Sequence, residues 1–90
     1  MPEIIETVKI INKLGLHARP AALLVQEASK YESTIEFESD DLKVNGKSIM
    51  GVMMLAAAFG SQLKLIIKGD DSEAAFSGIK ALIDSKFDEE

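Results

Sequence analysis

The chain has one histidine, His17, set in the run Gly15-Leu16-His17-Ala18-Arg19-Pro20. That run reads as a loop turning into a helix, because Pro20 is tolerated in a first helical turn, where its missing N–H costs no hydrogen bond. A helix start carries unpaired N–H groups and a partial positive charge, and therefore attracts anions. Imidazole is a nucleophile near neutral pH and also a competent leaving group. Arg19 adds a guanidinium that can grip a phosphate through two parallel hydrogen bonds. Such a set could accept a phosphoryl group, hold it and release it. The backbone amides of Ala18 and Arg19 would bind its oxygens, and Gly15 would keep the approach uncluttered. Spacing alone also allows a plainer reading, in which His17 caps a helix and Arg19 is a solvated surface residue.

A second constellation runs from Val44 through Asn45-Gly46-Lys47-Ser48 to Met54. Ser48 is a good N-cap for a short helix, and a phosphate there would be favoured by the helix end. An unmodified cap is the plain alternative. Ile49, Met50 and Met53 share one side of that helix, and Val52, Leu55 and Ala56 share another. One side belongs to the core. The other is either more core, the usual place for methionines, or an adaptable apolar patch for partners. Gly46-Lys47-Ser48 is not a phosphate-binding P-loop, since the upstream glycine of that motif is missing.

The elements that must position these residues follow from periodicity. Residues 4–11 suggest a strand, with Val8 and Ile10 facing one way and Thr7 and Lys9 the other. A helix is expected from His17 or Ala18 to about Lys30, with Ala21, Leu24, Val25 and Ala28 on its apolar face. Thr34 to Ser39 alternates, Ser39-Asp40-Asp41 suits a hairpin turn, and Leu42 and Val44 continue as a strand. A short helix from Ile49 to Leu55 or Ala57 follows, and Gly60 closes the segment. Gln62 to Lys68 alternates again. Asp70 and Glu73 resemble a capping box for a last helix carrying Ala75, Ile79, Leu82, Ile83 and Phe87, with a frayed tail at Asp88, Glu89 and Glu90. The order is β-α-β-β-α-β-α. Strands with one polar face imply an antiparallel sheet open to water on one side, with the helices on the other. The expected fold is an α+β, open-faced, two-layer sandwich: a four-stranded antiparallel sheet with three helices on one face.

Ninety residues suit one domain, residues 1–90, with a modest core and no room for a deep substrate cavity. Chemistry then belongs on the surface, completed by a partner, and a free-standing enzyme is not expected. The apolar fraction of 47% and charged fraction of 28% are those of an ordinary folded domain. There is no cysteine, which fits a reducing compartment. A lone histidine with scattered carboxylates makes no zinc site, and no cofactor is implied. A net charge of −5 argues against nucleic-acid binding. With no signal-peptide pattern and no apolar run long enough to cross a bilayer, the chain is expected to be cytoplasmic.

Leu14-Gly15-Leu16-His17-Ala18-Arg19-Pro20-Ala21, followed by Val44-Asn45-Gly46-Lys47-Ser48-Ile49-Met50-Gly51-Val52-Met53-Met54-Leu55, closely resembles the HPr phosphocarrier family of the bacterial phosphoenolpyruvate-dependent phosphotransferase system. The resemblance spans the chain. It implies a carrier, not an enzyme. It implies that His17 is phosphorylated at Nδ1 by phospho-enzyme I and passes the group to an enzyme IIA domain, assisted by Arg19 and the start of the first helix. Ser48 matches the serine that HPr kinase/phosphorylase modifies in some bacteria. Ala18, Arg19, Ala22, Ile49, Met50 and Met53 match the docking surface, and the carrier is expected to be monomeric. Asn12-Lys13-Leu14-Gly15 and the ending from Ser85 resemble the nitrogen-related branch, NPr, whereas Lys47 to Met54 resembles the sugar-transport branch, so either branch fits. A regulatory protein that signals through Ser48 and the Met50/Met53 patch is the competing function; it would survive loss of His17.

Overall fold

Alternating apolar residues build the sheet, and their parity decides which side of it the helices occupy. The computed structural model describes residues 2–55 and 57–88. They form β1 (Glu3–Lys9), α1 (Ala18–Ala28), β2 (Thr34–Ser39), β3 (Leu42–Asn45), α2 (Ile49–Met54), β4 (Gln62–Lys68) and α3 (Ser72–Asp84). The expectations for Ala56 and for the tail at Glu89 and Glu90 lie outside the described residues.

The four strands lie in the order β1-β4-β2-β3, every neighbouring pair antiparallel. β1 and β2 both run antiparallel to β4, so they are parallel to each other, and α1 is the crossover between them. One face of the sheet presents Leu63, Leu65 and Ile67 from β4 with Ile35 and Phe37 from β2, all buried. Each such burial contributes about 1.5–3 kcal/mol. On the other face the register sets Thr7, Lys64, Glu38 and Lys43 in one row across the sheet. Lys64 and Glu38 approach to 3.8 Å there, an exposed pair that adds little stability.

The helices cover the apolar face. α1 buries Pro20, Ala21, Leu24 and Ala28. α3 buries Ala75, Ile79 and Ile83, and α2 buries Val52. α1 touches both α2 and α3, while α3 lies against β1 and β4. The β2–β3 hairpin turns on Asp40 and Asp41, with φ of 51° and 66°, which is the two-residue geometry that matches strand twist. No helix among the described residues is long and apolar enough to cross a membrane.

Three local expectations are corrected. β1 ends at Lys9, and Ile10 instead pairs with the loop before β4: its N–H donates to Ser61 O at 2.9 Å and its carbonyl accepts from Gly60 N at 2.7 Å. Phe87 is buried, but not on α3; the chain leaves that helix at Ser85 and turns left-handed through Lys86, Phe87 and Asp88. The capping box of Asp70 and Glu73 does not form. The residue before α3 is Asp71, and its carboxylate makes no cap to its own helix. It accepts instead from the N–H of Glu32 at 2.8 Å, the N–H of Ser33 at 3.0 Å and the Ser33 hydroxyl. A long-range clamp between the α1–β2 and β4–α3 connections has replaced a local cap.

The hydrogen bond from the Ser33 hydroxyl, helped by the Glu32 amide, holds the Asp71 carboxyl below the ordinary aspartate value of 3.8. A carboxyl lowered on folding stabilises the fold above its unfolded value, and that contribution is lost as pH falls through the folded value. Asp71→Asn is therefore expected to lower the melting temperature at neutral pH. Its gap from wild type is expected to close as pH drops through 3.8 and below, measured by circular dichroism melts across pH 2–7. A gap that is the same at all pH values would show that the charge of Asp71 is not what the clamp uses.

Candidate phosphoacceptor site at a helix start

The loop between β1 and α1 must bury Leu16 and expose its neighbour. Gly15 makes that possible with a φ of +68°, a left-handed conformation that glycine adopts without strain. Its N–H donates to Asn12 O at 3.1 Å, and its carbonyl accepts from the N–H of His17 at 3.0 Å. The buried Asn12 side-chain amide donates to the same Gly15 carbonyl at 2.8 Å. Leu16 then enters the core, its N–H donating to Ala57 O at 2.8 Å.

His17 is the N-cap of α1, in extended backbone with φ −80° and ψ −172°. It is half-buried, and its carbonyl accepts the first helical hydrogen bond, from Ala21 N at 3.0 Å. The imidazole makes no capping hydrogen bond to the helix. His17 therefore caps α1 through its backbone and not through its ring. The amides of Ala18 and Arg19 have no acceptor within the helix, and Pro20 supplies no N–H. Ala18 and Arg19 are exposed; Pro20 is buried and fixes the first turn against the core.

Arg19 is not simply solvated. Its Nη1 donates to the carbonyl of Phe87 at 3.1 Å, 68 residues along the chain. That bond links the first turn of α1 to the segment after α3.

Ser48 is the N-cap of α2, as the sequence indicates, and its hydroxyl accepts from Gly51 N at 3.2 Å. Val52 and Leu55 face the core. Ile49, Met50 and Met53 face outward, with Met50 72% exposed, so the methionine side of α2 is a surface patch and not core. Ala22 is half-buried on α1, the helix that packs against α2. The sequence reading gave no surface role to several exposed apolar residues, among them Leu14, Met54 and Phe59. Leu14 and Phe59 sit on neighbouring loops, joined by the Leu16–Ala57 and Gly60–Ile10 hydrogen bonds. For Leu14 and Phe59 the signal was present: each is a large apolar residue in a loop with no periodic place in the core, whereas Met54 ends α2. Asn12 was also missed, because an asparagine in a loop is usually a turn residue. No group of three or more acidic, histidine or cysteine side chains suited to a metal occurs among the described residues.

Residues 4–85 match the protein family described as PTS HPr component phosphorylation site. Phosphocarrier protein HPr of Treponema pallidum is 51% identical over 87 residues, which cover 97% of this chain and 99% of that protein. The crystal structure of HPr-C-His from Thermoanaerobacter tengcongensis aligns with a TM-score of 0.91 at 54% identity, over 100% of this chain and 99% of that one. A crystal structure described as an HPr dimer from the same organism aligns with a TM-score of 0.76 at 55% identity, over 89% and 92% of the two chains. The open-faced sandwich is thus the fold of those HPr structures.

Gly15 and Gly60 form a matched pair for testing the loop. Both have positive φ, +68° and +87°. A Cβ on Gly15 would lie 2.5 Å from Ala57 O, whereas one on Gly60 would meet nothing within 4 Å. Gly60→Ala is expected to cost about 1–2 kcal/mol from the left-handed backbone alone. Gly15→Ala is expected to cost more, by about 1 kcal/mol or above, because the Ala57 carbonyl must also move. Urea denaturation of both variants measures the difference. Equal losses would mean that the Ala57 contact is not part of what fixes the loop.

Proposed function

The chain belongs to the HPr phosphocarrier family of the phosphotransferase system, and from that premise we propose that His17 accepts a phosphoryl group from phospho-enzyme I and passes it to an enzyme IIA domain. The single observation that carries this reading is the place of the chain's one histidine, at the start of α1 beside the first-turn amides, within the segment that matches the HPr phosphorylation-site family.

In the first transfer an imidazole nitrogen, Nδ1 by likeness to the family, attacks the donor's phosphorus. The N–P bond forms as the bond to the donor breaks, and that electron pair stays with the donor. The second transfer reverses the roles, with His17 as the leaving group. The amides of Ala18 and Arg19 and the Arg19 guanidinium balance the phosphoryl oxygens during both steps. The helix start contributes only modestly at an exposed site, about 0.3–1 kcal/mol, which suits a group that must be given up again.

Ala22, Ile49, Met50 and Met53 form the docking surface for both partners, used in turn because each must reach His17. The working unit is a cytoplasmic monomer, one domain over residues 1–90; a dimer that covered this face would compete with donor and acceptor alike. Intact mass after incubation with phosphoenolpyruvate and enzyme I is the test. Wild type is expected to gain one acid-labile phosphate, and His17→Ala none. No phosphate on wild type, with enzyme I shown active on another carrier, would overturn the reading.

Ser48 is proposed as a regulatory phosphorylation site for an HPr kinase/phosphorylase. Its hydroxyl sits at the edge of an exposed apolar patch and at a helix start, where a phosphate keeps the cap and adds charge beside Ile49 and Met50. Ser48→Asp preserves capping, since aspartate is as good an N-cap as serine. It is expected to lower the kcat/KM of enzyme I for this chain by about fivefold or more, the equivalent of roughly 1 kcal/mol. Equal phosphotransfer rates for the variant and wild type would count against the site.

A further inference from the structure

The chain contains no cysteine, so methionine thioethers are its only sulfur atoms. Three of its four methionines, Met50, Met53 and Met54, fall within five residues, on α2. A methionine usually fills gaps in a core, where packing shields its sulfur. These three do not. Met50 is 72% exposed, Met54 65% and Met53 44%. The helix is held from its other side, by the burial of Val52 and by the Ser48 hydroxyl, which accepts from Gly51 N at 3.2 Å. The sulfurs of this chain are thus gathered on one surface, on a short helix that is anchored elsewhere.

Oxidation of a thioether follows its exposure and converts a flexible apolar side chain into a polar one. With hydrogen peroxide the sulfur attacks one peroxide oxygen. The S–O bond forms as the O–O bond breaks, and the departing oxygen takes the proton of the transferred one and leaves as water. The sulfur gives up two electrons and the peroxide gains them. We propose that Met50, Met53 and Met54 form an oxidation site for hydrogen peroxide, where conversion to sulfoxides makes the docking patch polar and slows phosphotransfer without unfolding the chain. The proposal rests on the reading of that patch as the docking surface. A partner that packs against thioethers would have to cover sulfoxide oxygens instead, and an acceptor removed from water without a donor is costly.

The test treats the chain with hydrogen peroxide, removes the excess with catalase, and compares the kcat/KM of enzyme I before and after. Peptide mass spectrometry locates each added oxygen. Met50 and Met54 are expected to gain oxygen before Met53, in the order of their exposure. With all three oxidised, kcat/KM is expected to fall by about fivefold or more, while the circular dichroism melt keeps its midpoint. Sulfoxide reductases for both sulfur epimers, supplied with dithiothreitol, are expected to restore the rate. The triple variant Met50→Leu, Met53→Leu, Met54→Leu, compared with itself before and after peroxide, is expected to lose less than about twofold. Because it keeps Met1, it also reports any effect of oxidation there. Unchanged kcat/KM with all three oxidised, an equal loss in the triple variant, oxidation of Met53 ahead of the other two, or a loss that tracks unfolding would overturn the proposal. Met50→Asp separates this failure from that of the docking reading. Harmless sulfoxides beside an impaired Met50→Asp would sink the oxidation site alone; if neither slows phosphotransfer, the docking reading falls with it.

Discussion

Everything at the site depends on one backbone joint, the bond from the N–H of Leu16 to the carbonyl of Ala57. Between β1 and α1 the chain must turn Leu16 into the core and His17 toward solvent within two residues. An extended segment would do this by alternation, but the next residues must already be helical. Gly15 resolves the conflict by turning left-handed, and the Ala57 bond then fixes the depth of Leu16. The Asn12 amide secures the Gly15 carbonyl from the other side. A slip of one residue would place the imidazole in the core and a leucine at the helix start. The same joint ties the β1–α1 loop to the segment after α2, so the loop that carries His17 and the end of α2 are braced against each other.

The surface position that this joint gives His17 suits the chemistry proposed for it. A phosphoryl group carries charge that would be costly to bury unpaired, at several kcal/mol per ion even after relaxation. A fully solvated histidine, by contrast, would offer the group no preferred orientation. The N-cap position lies between these limits. The helix start gives direction, the half-burial limits ring motion, and a docked partner can exclude water and strengthen the same interactions for the moment of transfer. A carrier with its own enclosed pocket would hold the group against its donor and its acceptor alike.

The strands were legible because each has one wet face, so the period of two survives from sequence to structure: β2 and β4 have the very bounds that the alternation of Ile35/Phe37 and Leu63/Leu65/Ile67 marks. The start of α1 was legible from Pro20, and the cap of α2 from Ser48. The misses share a cause, which is contact between residues distant in the chain. Asp71 abandons its own helix for Ser33, 38 residues away. Phe87 breaks helical periodicity because the core rewards its burial more than a left-handed turn costs. The tie from Arg19 to Phe87 spans the length of the fold and leaves no local signature. The outward face of α2 could not be assigned from spacing alone, since either side of that helix is apolar enough to be core.

The exposed face of α2 is best understood from what the helix does not need. Six residues are too few to form a stable helix unaided, so α2 depends on its Ser48 cap and on the burial of Val52. Ile49, Met50, Met53 and Met54 are all exposed, yet all are large and apolar. Methionine on such a surface can adapt to more than one partner, as the proposed sharing of this face by donor and acceptor would require. The topology also separates two kinds of control. β3 ends at the far edge of the sheet from the β1–α1 loop, and the chain must run back along α2 to begin β4 beside that loop. In the proposed reading, a charge at Ser48 would act on docking through the patch beside it, while the His17 site is built by its own loop.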